Sequence, residues 1–131
     1  MIDFSKIKAI SLDLDDTLWP VWPTIARAEE TLALWLAEKA PGTVPLCAIA
    51  GYQRQIREAM PSLRPDLGND LSALRREAIR ILLERAGEDP GLAEPAFEVF
   101  FEARQKVIFF EDALSTLNFL KSRYPMVALS N

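Results

Sequence analysis

Three aspartates fall within four residues in the stretch Asp13-Leu14-Asp15-Asp16-Thr17-Leu18, directly after the apolar run Ile7–Leu12. Like charges this close repel one another, and a hard cation such as Mg²⁺, which takes oxygen ligands, relieves that repulsion. On an extended segment alternate side chains point the same way, so Asp13 and Asp15 are placed to share a face. An aspartate is also a nucleophile in its own right, because a reference pKa of about 4 leaves it ionised at neutral pH without a base to activate it. A second carboxylate nearby can protonate a leaving oxygen and later take a proton from water. The plainer reading of the same residues is a strand-to-loop turn of surface acids, with Asp16 or Thr17 capping a helix. An EF-hand fits poorly: its sixth loop position would be Leu18 where Gly is needed, and its twelfth Thr24 where Glu is needed.

The remaining composition narrows the chemistry. The 131 residues include no His and one Cys, Cys47. Ser-His and Cys-His nucleophile pairs, an imidazole base, a His-rich zinc site and an intrachain disulfide are therefore excluded. Carboxylates, hydroxyls, amides, amines or a bound hard cation are left. A formal charge of −4 argues against non-specific nucleic-acid binding, which needs a dense cationic footprint. No run of 18 apolar residues predicts a membrane span. The N-terminal apolar stretch is too short for a signal-peptide core and leads straight into acids, so the expected compartment is the cytoplasm.

The elements that must position the aspartates follow from periodicity. Ile7–Leu12 and Met126–Leu129 are short apolar runs that predict buried strands. Between them the pattern is helical. Pro23 suits a first turn, and Ile25, Ala28, Leu32, Trp35 and Leu36 share one face until Pro41-Gly42. A second helix is expected from Pro45 to Met60, with Leu46, Ile49, Ile56 and Met60 inward and Pro61 closing it. A third starts at a cap from Asn69 or Asp70, buries Leu71, Leu74, Ala78, Ile81 and Leu82, and stops at Gly87. Its other face carries Arg75, Arg76, Glu77, Arg80, Glu84 and Arg85, expected to be solvated. A fourth covers Pro95–Lys106 around Phe97, Phe100 and Phe101, and a fifth lies near Asp112–Ser122. Two apolar strands separated by helices suggest a parallel pair with a right-handed crossover, far longer here than packing requires. The fold class expected is α/β: a partial Rossmann-like parallel sheet with two strands present and an inserted α-helical domain.

The stretch ISLDLDDTLWP resembles the first motif of the haloacid dehalogenase (HAD) superfamily, an apolar strand followed by DxDxT. Pro125–Asn131 (PMVALSN), preceded by ALSTLNFLKSRY, is similar to its second motif, a strand ending in Ser or Thr. The helical insertion lies where the type 1 cap of that superfamily belongs. The resemblance implies a partial core over residues 1–19 and 107–131 and a helical cap over 20–106. It implies that Asp13 is nucleophile and Mg²⁺ ligand, and that Asp15 is general acid/base and binds Mg²⁺ through its backbone carbonyl. Thr17 would support the loop after the strand, while Ser130 and Asn131 would contact the transferring phosphoryl group. The implied activity is Mg²⁺-dependent hydrolysis of a small phosphorylated metabolite through an aspartyl-phosphate, by a monomer or homodimer of the full-length protein. A dehalogenase would use Asp13 as well, but the second acid of DxDxT suits phosphate-ester cleavage better.

The departures carry equal weight. The superfamily's third motif, a Lys, and its fourth, one or two acids, lie downstream of the second, whereas Lys106 and Lys121 precede Ser130. The chain is therefore expected to be an incomplete, inactive portion of a hydrolase about a hundred residues longer. The alternative is a short protein that works by binding, a pseudo-enzyme or interaction protein on half of the core. Trp19 and Trp22 lie where a substrate-facing role competes with simple packing; the cap arginines and Cys47 are expected to be a solvated face and a small core residue.

Overall fold

The computed structural model describes residues 1–130. The chain divides into two compact units, one of Met1–Ile25 with the chain from Lys106 onward, the other of Ala26–Gln105. The fold is mostly helical with two parallel strands.

In the first unit, strand β1 (Ile10–Leu12) pairs in parallel with β2 (Met126–Ala128), in the register Ile10↔Met126, Ser11↔Val127 and Leu12↔Ala128. Backbone bonds extend the pairing at both ends, from Ile10 N to Pro125 O at 3.0 Å and from Leu129 N to Leu12 O at 2.8 Å. Helix α1 (Val21–Lys39) starts in this unit, with Pro23 in its first turn where an amide proton has no partner to lose. Burial here is thin: among the described residues of this unit only Thr24 and Ala113 are buried. Phe119, Val127 and Leu129 stay exposed.

The second unit holds the core. Along α1, Ala28, Leu32 and Leu36 recur at four-residue spacing and are buried. The second predicted helix is two helices, α2 (Val44–Cys47) and α3 (Tyr52–Leu63). Gly51 separates them at φ 76°, a left-handed conformation that a side chain disfavours, and the expected inward Ile49 is exposed. Pro61 does not close α3 but lies within its last turn, where a single intrahelical donor is lost. Helix α4 (Leu71–Arg85) is capped by Asp70, whose carboxylate accepts from Ala73 N at 2.9 Å. It ends in a Schellman pair about Gly87 (φ 71°): Gly87 N donates to Glu84 O at 3.1 Å and Glu88 N to Leu83 O at 2.9 Å. Leu71, expected inward, is exposed because it is the first residue after the cap. Helix α4 packs on α3 and on α5 (Ala93–Gln105), joining Leu74, Ala78, Ile79, Leu82 and Leu83 to Ile56, Met60, Ala96, Phe97 and Phe100. Helix α6 (Ala113–Lys121) belongs to the first unit and leads into β2. Among the described residues no helix is long and apolar enough to cross a membrane.

Candidate active site

The parallel register sets the site. Leu12 and Ala128 are partners, so Asp13 and Ser130 follow the last paired residues at the same end of the two strands. This is the carboxyl end, where open α/β sheets take their ligands. Asp13 and Ser130 are both exposed there, and Asn131 lies outside the described residues.

Beyond Asp13 the chain turns tightly. Thr17 N and Leu18 N both donate to Leu14 O, at 3.1 and 2.9 Å, which winds the segment into a single turn. Thr17 itself is exposed and contributes this backbone bond to the loop. Asp16 adopts φ 58°, a conformation that Asp tolerates better than most residues with a side chain. That reversal brings Asp16 N to Trp19 O at 2.7 Å, and Asp16 Oδ1 accepts from Val21 N at 2.9 Å, satisfying an amide in the first turn of α1. Phe110 N donates to Leu18 O at 2.9 Å, tying the turn to the segment before α6.

The three neighbouring carboxylates thus occupy different positions. Asp16 caps the helix. Asp15 is half-buried and its Oδ1 accepts from the Trp19 indole Nε1 at 2.9 Å. Asp13 stands exposed at the strand end. Trp19 packs edge-to-face on Phe109 with ring centroids 5.5 Å apart, whereas Trp22 is exposed. The Trp19–Asp15 bond escapes a reading by spacing, since residues four apart meet here across a turn made possible by the left-handed Asp16.

For Mg²⁺ the donors on hand are hard oxygens, the class this ion takes, and one or two carboxylates with retained waters are its usual share from a protein. Asp13 and the backbone carbonyl of Asp15 fit that description. Among the described residues no three His, Cys, Asp or Glu side chains gather in a metal-sized group.

The arginines of the second unit are paired with acids and rings. Arg75 Nη1 reaches Glu29 Oε1 at 2.5 Å and its guanidinium lies 4.0 Å from the centre of the Phe100 ring. Arg76 bonds Glu94 at 3.0 Å and stacks over Phe97 at 3.9 Å. Glu77, expected on the solvated face, is buried. Arg80 grips it with two bonds of 2.6 and 2.9 Å, and Arg64 reaches it at 3.0 Å. The Arg80 bonds, joined by Arg64, hold the Glu77 carboxyl below its ordinary value against the opposing effect of burial. Cys47 is half-buried against the core, and burial pushes its thiol up from its ordinary value, away from nucleophile behaviour.

No protein-family model matches the chain. It is 26% identical over 134 residues to the 5-amino-6-(5-phospho-D-ribitylamino)uracil phosphatase YigB of Escherichia coli (strain K12), an alignment that takes in 96% of this chain and 54% of that protein. Among solved structures it is similar to a 2-haloacid dehalogenase from Pseudomonas syringae pv. Tomato DC3000, with 36% identity, a TM-score of 0.78, and 95% of this chain and 55% of that one covered. A further dehalogenase structure aligns at 22% identity and a TM-score of 0.46 over 99% of this chain and 53% of that one. The chain spans about half the length of the curated relative it matches.

Proposed function

We propose that this chain, which belongs to the haloacid dehalogenase superfamily, carries the nucleophile-bearing part of a Mg²⁺-dependent phosphohydrolase that acts in the cytoplasm on a small phosphorylated metabolite. The observation that carries the reading is the division of labour among three adjacent carboxylates at the carboxyl end of β1: Asp16 caps a helix, Asp15 is held by Trp19, and Asp13 is exposed. The YigB relative is named for a phosphorylated substrate, which favours a phosphate ester over a haloacid. Residues 20–106 serve in this reading as the helical cap.

Asp13 attacks the phosphorus through a carboxylate oxygen while the ester P–O bond breaks, and Asp15 gives its proton to the leaving oxygen. Asp15 then takes a proton from the water that attacks the aspartyl-phosphate, the Asp13–phosphorus bond breaks, and inorganic phosphate leaves with both carboxyl groups restored. Ser130 and Asn131 donate hydrogen bonds to the phosphoryl oxygens. Bound Mg²⁺ supplies charge neutralisation between an anionic nucleophile and an anionic substrate.

A dehalogenase is the second reading, favoured by the 36% identity to a 2-haloacid dehalogenase. It shares the nucleophile but has no leaving oxygen for Asp15 to protonate. The test is hydrolysis of a generic aryl phosphate by the full-length gene product with Mg²⁺, run in parallel with 2-chloropropionate. Phosphate release that is lost in Asp13→Asn supports the proposal. Chloride release without phosphate release supports the second reading, and an Asp13→Asn protein with full activity removes Asp13 as nucleophile.

A further inference from the structure

We propose that Trp19 is the positioning residue that sets the orientation of the Asp15 carboxylate. The inference deepens the reading of the site given above and rests on it for its catalytic consequence. The indole Nε1 lies 2.9 Å from Asp15 Oδ1. A carboxylate at the end of a short side chain has a broad terminal torsion, so a well-placed donor biases which way its two oxygens face.

The donor is itself fixed. Its ring meets Phe109 edge-to-face at an interplanar angle of 87°. Its backbone carbonyl accepts from Asp16 N at 2.7 Å, and the preceding carbonyl, of Leu18, accepts from Phe110 N at 2.9 Å. Trp19 is therefore clamped through its ring, its own backbone and its neighbour's, all within the first unit, and the fixity passes through Nε1 to Asp15. An indole N–H donates and never accepts. Oδ1 is consequently held as the acceptor of this bond. This assigns the aromatic residue after the Asp-rich turn to the acid rather than to the substrate.

Trp19→Phe separates packing from positioning, since it keeps a ring against Phe109 and deletes the N–H. In the full-length product we expect kcat to fall about ten- to a hundredfold with KM within about twofold, the pattern of a misplaced acid that leaves substrate binding alone. Trp22→Phe, on an exposed ring, leaves both constants unchanged. An unchanged kcat in Trp19→Phe overturns the proposal. Independently of activity, the indole N–H resonances of the ¹⁵N-labelled chain report the bond directly. Trp19→Phe identifies the Trp19 signal, and Asp15→Ala in the chain with Trp19 retained shifts that signal and removes its protection from solvent exchange, while those of Trp22 and Trp35 stay in place. A Trp19 signal that ignores Asp15→Ala overturns the proposal. If the full-length product hydrolyses no phosphate ester, the functional reading fails, and the resonance experiment still decides whether Trp19 holds Asp15.

Discussion

In the helical unit a continuous apolar cluster from α1, α3, α4 and α5 is buried, with Leu36, Met60 and Leu83 almost fully withdrawn from water. In the strand-bearing unit the described residues include two buried ones, Thr24 and Ala113, and the apolar Val127, Leu129 and Phe119 face solvent. One unit is held by side-chain burial; the other holds its Asp-rich turn by directed hydrogen bonds, from Asp16, Trp19, Leu14, Leu18 and Phe110. The contrast teaches that the position of the candidate site depends on a few polar contacts, while the buried apolar cluster lies in the helices.

Substitutions can break that contrast. The largest expected effect is Asp13→Asn: about a thousandfold or more off the hydrolysis rate of the full-length product, with thermal unfolding of the chain within about 0.5 kcal/mol of the parent. Next, Leu83→Ala in the helical core costs about 2–5 kcal/mol in denaturant unfolding, because it leaves a cavity among close-packed neighbours. Leu129→Ala on the exposed strand extension costs about 0.5 kcal/mol or less. Equal costs at the two leucines would erase the distinction between the units. Asp70→Ala removes the α4 cap and costs about 1 kcal/mol in the same assay.

The smallest effect is a pH dependence. The carboxyl of Glu77 is held below its ordinary value in the folded chain, so its pairing stabilises the fold above the unfolded-state value of about 4.3 and is lost as pH falls through it toward the folded value. Thermal unfolding of Glu77→Gln therefore starts below the parent at neutral pH and converges with it under acid conditions. Glu38→Gln, at an exposed pair with Lys39, gives a profile close to the parent's. A Glu77→Gln deficit that stays constant with pH would show that the ion pair is not the cause.

Much of this architecture was legible in residue order. The two apolar runs became the two strands, the first shortened at its start and the second at its end; Asp70 and Gly87 bound α4 because capping chemistry is local. The helix break at Gly51 was hidden by a continuous apolar pattern, since the periodicity of Leu46 and Ile56 says nothing of backbone handedness between them. Glu77 looked solvated among arginines, yet Arg64 and Arg80 close over it, and Arg64 arrives from another element. At the site, the Asp-rich turn and its place after a strand are plain in the sequence. The bond from Trp19 to Asp15 is not, because it requires the positive φ of Asp16, and neither is the tie from Phe110, which comes from more than ninety residues away.

The central claim is that Asp13 is the nucleophile and phosphorus its target. Single-turnover reaction of the full-length product with an aryl phosphate in ¹⁸O-water, followed by acid quench and peptide mass analysis, tests it most directly. The account predicts a phosphoryl group trapped on the peptide containing Asp13, with ¹⁸O appearing in the released phosphate and not in the Asp13 carboxylate. Turnover with an unmodified Asp13 peptide, or with ¹⁸O in the Asp13 carboxylate, would contradict it.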